Sequence, residues 1–347
     1  MRIFVLGAGG PAGVNTVRAL KLAEHYVIGC DSNPFHLAWP DCWMMLSPVP
    51  DVDWINGVVR ENEIELIFPQ PDSLVRFAAE HRNELAAPVC LPRTETIALC
   101  QDKAEAAEAW CEAGLHGPVF RLDEYEDLVQ AEEHLGWPLW IRASRGAGAR
   151  GATRADNMAV VEAWLAYWHA RGEGWRFIAE EYLPGRDYAW AGIYDHGELI
   201  SSFARERLEY IYPELSPSGR TGTPSVARTV HDQRVNTAAE AAIEILDSAW
   251  HGLASVDLRE DILDNPQPTE INAGRTSTTT PLYAELGCNL PALLVRLAQG
   301  ETDFVTRRNA VPAGVLLTRH IDCRHVFDPL PLVPGSLAAE IEALTGV

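Results

Sequence analysis

Residues 253–272 read Leu-Ala-Ser-Val-Asp-Leu-Arg-Glu-Asp-Ile-Leu-Asp-Asn-Pro-Gln-Pro-Thr-Glu-Ile-Asn. Two strand-like runs, 253–259 and 267–272, flank a stretch rich in Asp, Asn and Pro, the pattern of two neighbouring strands. Side chains along a strand alternate between faces. Glu270 and Asn272 therefore share a face, and Asp257 stands on the adjoining strand. Two carboxylates and an amide oxygen are hard donors of the kind Mg²⁺ takes. An isolated acid is usually a solvated surface group, so this triplet carries weight only in company.

Company lies upstream. Residues 143–151 are Ala-Ser-Arg-Gly-Ala-Gly-Ala-Arg-Gly. Small residues let backbone N–H groups approach phosphate oxygens, and Arg145 and Arg150 add charge. Arg142 ends the preceding strand, 138–142, and points to the same region. Without a phosphate, the stretch would read as a surface loop with solvated arginines. A further glycine loop, Gly7 to Gly13, follows the apolar strand at the N-terminus. It approximates a dinucleotide fingerprint, with Asp31 about twenty residues on as a ribose partner. The competing reading is a helix N-terminus packed near the first strand.

Around the first loop, strands at 26–30, 64–68 and 89–91 alternate with helices. This predicts a parallel, doubly wound sheet over residues 1–93. Ligands sit beyond the C-terminal strand ends of such sheets, where Gly7–Gly13, Asp31 and Gln70–Asp72 fall. Asp102 and Glu105 read as a capping box opening a helix to about Ala113. A strand near 118–121 and helices at 124–135 and 156–171 surround the second loop. Strands follow at 175–181, 187–194 and 199–205, with a hairpin turn at 195–197. Residues 212–224 read as a loop, 232–249 and 289–299 as helices, and 316–321 as a late strand. Trp137, Trp140, Trp164 and Trp168 occupy core-like positions.

The chain has 347 residues, is 47% hydrophobic and 22% charged, and carries a formal net charge of −21. Wholesale disorder is excluded, and so acidic a chain is poorly suited to gripping DNA or RNA. No run approaches the ~18 apolar residues of a membrane span. Seven cysteines without a C-x-x-C pair read as reduced thiols. The expectation is a cytoplasmic protein.

Together the three elements resemble the ATP-grasp superfamily, specifically the group similar to the large subunit of carbamoyl-phosphate synthase, over roughly residues 1–300. The resemblance implies an α/β architecture. A Rossmann-like pre-ATP-grasp domain would span 1–93. A/B subdomains with a phosphate-covering glycine loop would span 94–175, and a C-terminal subdomain with hinge and metal site 176–305. A closing segment would span 306–347. By the same resemblance, Lys103 and Arg142 contact the nucleotide. Ser144, Gly146, Gly148 and Gly151 belong to the covering loop. Glu180, Glu181 and Leu183 read the base, and Asp187 holds the ribose. Asp257, Glu270 and Asn272 hold two Mg²⁺, with Mn²⁺ able to substitute. Arg142 and Arg275 are catalytic cations, Arg275 standing one residue further along than the family pattern. Arg228, the favoured one of Arg205, Arg207, Arg220 and Arg228, which flank the 212–224 loop and could bind a substrate carboxylate or the γ-phosphate, joins them from the residues alone. Gly9, Gly10, Asp72, Arg220 and Arg319 are substrate candidates. The first glycine loop becomes a substrate or buttressing element.

The implied activity is transfer of the ATP γ-phosphoryl group to a carboxylate, followed by amine attack on the acyl phosphate. Carbamoyl-phosphate-type or bicarbonate-phosphorylating chemistry, a non-catalytic ATP-binding protein and an NAD-dependent oxidoreductase are the alternatives. Expected partners are a small carboxylate and an amine, with no nucleic acid and no membrane, and a homodimer is allowed. Removing one acid from the metal cluster is expected to raise thermal stability, because like charges repel.

Overall fold

The computed structural model describes residues 1–33, 40–47, 49–146, 150–320 and 323–327. Three sheets organise the chain. The first is built from β1 (Arg2–Leu6), β2 (Tyr26–Asp31), β3 (Cys42–Met45) and β4 (Leu66–Pro69), in the order β3-β2-β1-β4. All its pairings are parallel. Helices α1 (Pro11–Leu22), α2 (Val52–Glu61) and α3 (Asp72–Glu80) cover it. Ile3, Phe4, Val5 and Leu6 are wholly buried, as strands covered on both faces require. The strand expected at 89–91 is only a single bridge, Ile67 to Val89.

α4 (Thr94–Cys100) and α5 (Lys103–Glu112) lead to the second sheet. Asp102 caps α5 by accepting from the Ala104 amide at 3.1 Å. The second sheet holds β5 (Val119–Arg121), β6 (Leu139–Ala143), β7 (Thr153–Ala155) and β8 (Phe177–Glu181), in the antiparallel order β5-β8-β6-β7. It carries α6 (Tyr125–Leu135) and α7 (Met158–Ala170). β8 thus pairs within this sheet although it lies wholly past residue 175, because Ile178 and Glu180 register with Arg142 and Trp140.

The third sheet contains β9 (Asp187–Asp195), β10 (Glu198–Tyr210), β11 (Pro224–Val230), β12 (Gly252–Glu260), β13 (Pro266–Ala273), β14 (Leu316–His320) and β15 (Cys323–Phe327). Their order is β13-β12-β9-β10-β11-β14-β15. α8 (Gln233–Leu246), α9 (Thr280–Glu285) and α10 (Leu290–Ala298) accompany it. Its pairings are antiparallel.

Alternation along the long strands sorts this sheet into two faces. Tyr188, Trp190, Ala204, Val256 and Leu258 join the core with α8. Ala191, Ile193, Phe203 and Leu253 join the core shared with β1, α1 and α10. On that second face the apolar residues give way toward one end to Asp187, Arg207 and Asp257, and there a cleft opens. Among the described residues no helix is long and apolar enough to cross a membrane, and Cys30, Cys42, Cys90, Cys100, Cys111 and Cys288 are free thiols.

Candidate active site in the cleft between two sheets

The cleft encloses about 250 Å³ between the second and third sheets. β6 gives Trp140 and Arg142, β8 gives Glu180 and Glu181, and Lys103 opens α5. Asp257 and Glu270 face each other as register partners across β12 and β13, and Asp187 registers with Arg207 across β9 and β10. Strand register, not chain proximity, brings these charges onto one wall.

Each carboxylate of that wall meets a cation. Arg207 donates to Asp257 Oδ1 at 2.6 Å and to Asp187 Oδ1 at 3.1 Å. Tyr210 donates to Asp187 Oδ2 at 2.7 Å, and Arg220 pairs with the same carboxylate. Lys103 Nζ lies 3.4 Å from Glu270 Oε2 and donates to the Gly146 carbonyl at 2.8 Å. Arg275 pairs with Asn272 and with Asp72 at 2.6 Å. Asp72 opens α3, so this contact ties the parallel sheet's layer to the end of β13.

The two central acids differ. Burial, together with repulsion from Glu270, pushes the Asp257 carboxyl above its ordinary range, and Arg207 only partly offsets this. Burial pushes Glu270 up as well, but Lys103, Arg275 and Arg142 outweigh it and hold the carboxyl below its ordinary value. The two acids are therefore unequally placed: the ionised form is disfavoured at Asp257 and favoured at Glu270.

Arg142 and Glu180 form a buried pair. Arg142 Nη2 donates to Glu180 Oε1 at 2.7 Å, its Nε lies 2.6 Å from Oε2, and Nη1 donates to the Thr269 carbonyl at 2.8 Å. His116 Nε2 stands 3.6 Å from the same Glu180 oxygen. The arginine thereby crosses from the second sheet to β13 of the third. Removing one member would strand a buried charge, a loss of roughly 3–5 kcal/mol.

Lys103, Arg142, Gly146, Glu180, Glu181 and Leu183 line the cleft, as do Asp187, Arg220, Asp257, Glu270 and Asn272. Ser144 lies beneath it, its carbonyl accepting from the Lys103 amide at 2.8 Å. Gly151 packs under Trp175 instead of facing the cleft. Gly148 lies outside the described residues.

Arg228 is a correction. It registers with Glu206 and donates to it at 2.8 Å. Glu206 is one residue from Arg207, so the strand alternation that aims Arg207 into the cleft turns Arg228 to the opposite face. Arg319 also stands apart, donating to the Pro224 carbonyl at 3.0 Å and to the carbonyl and hydroxyl of Thr278 at 2.7 and 2.9 Å. Burial and the neighbouring Arg205 pull its guanidinium down to about 10. Gly9 and Gly10 are outside the cleft. The Gly9 amide donates to Asp31 Oδ2 at 3.1 Å, so the acid expected to serve a dinucleotide ribose braces the glycine loop.

Trp140, Arg207 and His116 are cleft residues that the sequence reading ranked low or passed over. Trp140 was assigned to packing, yet it lines the cleft beside Tyr182, ring centroids 6.3 Å apart. Its signal was present, because Trp140 and Arg142 share one face of β6. Arg207 belongs with Arg205, Arg220 and Arg228 to the arginines flanking 212–224 that could bind a substrate carboxylate or the γ-phosphate, among which the sequence favours Arg228; a cation inside the buried run of β10 was the clue to Arg207. His116 had none.

Asp257, Glu270 and Asn272 supply three oxygen donors from adjacent strands, and Asp257, pushed up by burial and by the facing Glu270, is a carboxylate whose ionised form a bound Mg²⁺ would favour. The set fits.

No known family model matches the chain. The chain is 27% identical over 187 residues to a formate-dependent phosphoribosylglycinamide formyltransferase of Prochlorococcus marinus (strain MIT 9313), covering 52% of this chain and 47% of the relative. It is 26% identical over 229 residues to a D-alanine–D-alanine ligase of Synechococcus sp. (strain JA-3-3Ab), covering 62% of this chain and 69% of the relative. The chain spans about half the length, or less, of the formyltransferases it matches. Among solved structures, the biotin carboxylase domain dimer of Hydrogenobacter thermophilus 2-oxoglutarate carboxylase, in complex with MgADP, ADP and bicarbonate, superposes with a TM-score of 0.70 at 18% identity. That match covers 91% of this chain and 74% of the other. The three-sheet architecture and the structural neighbours agree on the fold, an ATP-grasp fold with a parallel sheet preceding the two antiparallel ones.

Proposed function

We propose that the protein is an ATP-dependent, ADP-forming ligase that activates a small carboxylate and joins it to an amine. The observation that carries this reading is the meeting of the Asp257–Glu270 pair with Lys103, Arg142 and Arg207 in one cleft beneath a glycine loop. The formate of one relative's name and the D-alanine of another's are both carboxylic acids, which supports a carboxylate as acceptor.

In the proposed reaction the bond from the γ-phosphorus to the β,γ-bridging oxygen breaks, and a carboxylate oxygen bonds to the phosphorus. ADP leaves. The amine nitrogen then attacks the acyl carbon, phosphate departs with its electron pair, and the nitrogen loses a proton. Trp140 and Tyr182 supply an aromatic wall for the base, with Glu181 and Leu183 at the hinge. Lys103 and Arg142 meet phosphate charge. Arg207 and Arg220 are held by Asp187, which makes Asp187 an organiser of cations as well as a ribose partner. Asp257, Glu270 and Asn272 would hold Mg²⁺, two ions in our reading with Mn²⁺ able to substitute; the metal would supply charge neutralisation for the phosphates. Residues around Gly146 would close over the phosphates and keep water from the acyl phosphate.

The test is ADP release over a matrix of carboxylic acids and amines with Mg-ATP, repeated with hydroxylamine. The productive acid should yield a hydroxamate. ADP release with the true acid and amine, but no hydroxamate under any trapping condition, would rule out the acyl phosphate. Bicarbonate belongs in the matrix as the second reading, since the structural neighbour above was solved with it.

A further inference from the structure

At the far end of β9 from the cleft, three metal-ligand side chains converge. Asp187 opens this strand in the cleft and Asp195 closes it, so the two are separated by about 26 Å of extended chain. Asp195 and His196 form the tip of the β9–β10 hairpin, and His251 precedes β12. One ligand atom from each of the three lies within 4.8 Å of the other two, the sole such cluster of three among the described residues.

The contacts at this cluster are short. Asp195 Oδ1 is 2.6 Å from His196 Nδ1 and 3.2 Å from His251 Nδ1, and the two imidazole centroids are 4.3 Å apart. His251 Nδ1 is shut off from solvent and makes no well-formed hydrogen bond. On the other side of the ring, His251 Nε2 contacts Cys90 Sγ at 3.3 Å. A ring nitrogen closed off from water, a carboxylate oxygen and a second imidazole nitrogen thus converge as donors that one cation can share.

We propose that Asp195, His196 and His251 form a binding site for a divalent transition-metal ion, Zn²⁺ in the first instance. Zinc at about 2.0–2.1 Å from nitrogen and oxygen ligands sets tetrahedral ligand separations of about 3.4 Å. The 3.2 Å between Asp195 Oδ1 and His251 Nδ1 is close to this, and the exposed His196 ring would swing outward from 2.6 Å to admit the ion. Three protein ligands leave one position for water. Cys90 fixes the orientation and tautomer of His251 from behind, as a partner of a metal-bound imidazole does. The ion would be structural. Cys90 belongs to the segment after the parallel sheet, and a Cβ on Gly252 would lie 3.0 Å from the Cys90 carbonyl oxygen, so two layers already meet closely at this point. The ion would fasten the hairpin tip to that seam. This proposal does not depend on the ligase reading.

The test uses the full-length chain without a histidine tag, in excess Mg²⁺. Zn²⁺ is titrated against a chromophoric chelator, with Co²⁺ absorption as a second readout. The wild type should bind one Zn²⁺ per chain, and Zn²⁺ should raise its melting temperature. Asp195→Asn and His251→Ala should each weaken binding about a hundredfold and abolish the melting shift. Cys90→Ala should weaken it about tenfold. Glu270→Gln should bind Zn²⁺ as the wild type does, which separates this site from the cleft. If His251→Ala fails to fold, the isosteric Asp195→Asn still decides. No saturable Zn²⁺ binding, or equal binding in wild type and Asp195→Asn, would overturn the proposal.

Discussion

The two glycine loops share a composition and little else. In the first, glycine marks places where a side chain has no room. A Cβ on Gly13 would sit 2.0 Å from the Gly7 carbonyl oxygen, and one on Gly7 would sit 2.3 Å from Pro71 Cδ. In the second, a Cβ on Gly146 would meet nothing within 4 Å. There the residue has φ of +136° and its carbonyl accepts from Lys103. In the first loop α1 presses onto Gly7 and Gly13; in the second, Gly151 packs under Trp175 but Gly146 has open space toward a cleft lined with cations. A glycine count does not separate a packing joint from a phosphate cover; what surrounds each glycine does.

That contrast can be broken at several points, beginning with the floor beneath the second loop. Lys103 links Gly146 to Glu270, so Glu270→Gln strikes the metal donors and the loop anchor together. Turnover should fall about a thousandfold, or ~4 kcal/mol, when ADP release is measured at saturating Mg-ATP. Activity within threefold of wild type would remove Glu270 from the metal site. The same variant should melt below wild type. The downward shift of Glu270 means its ionised form stabilises the fold above its ordinary pKa, and that support fades as pH falls through the folded value. Asp257→Asn should behave oppositely. An upward shift means the ionised form is a burden that grows as pH rises through the folded value, so the neutral isostere should melt at or above wild type at pH 7.

Gly13→Ala tests the packing joint and should cost about 3 kcal/mol or more in chemical denaturation, because the added methyl meets backbone and not a movable side chain. A variant of wild-type stability would show that α1 can shift, and the contrast would lose its first half. Lys103→Ala should lower kcat/KM about a hundredfold, ~2.7 kcal/mol, while leaving the denaturation midpoint nearly in place. The smallest effect belongs to Gly146→Ala. With open space around it, stability should change by about 1 kcal/mol or less, set by the positive φ alone. A loss as large as that of Gly13→Ala would mean that the second loop, too, is held by packing.

Much of the third sheet was legible because its strands are long and alternate. The runs expected at 187–194, 199–205, 253–259 and 267–272 appear as β9, β10, β12 and β13, each extended by a few residues. β3, β7 and β11 were not foreseen. The first two have four and three residues, and β11 begins at Pro224 directly out of the Pro/Gly-rich loop. Short strands with half-exposed residues carry too little periodicity to register. α2 and α4 escaped for a similar reason, lying between stronger signals.

Residue types and spacing by themselves determined which chemistry was on offer. Two acids and an amide stood at strand spacing, a lysine behind a helix cap, and a loop of small residues between arginines. These follow from local rules of alternation, capping and glycine freedom, which neighbouring residues alone satisfy. Only the tertiary structure decided which charges meet. Arg207 reaches Asp187 and Asp257 from fifty residues or fewer away in sequence, and Arg275 reaches Asp72 across two hundred and three positions. Arg228, as plausible as Arg207 on sequence grounds, was turned aside by one step of strand register. Which face of a sheet receives a side chain is a choice between two, and it depends on which face buries more apolar surface. That quantity belongs to the packed layers, and no local stretch of sequence contains it.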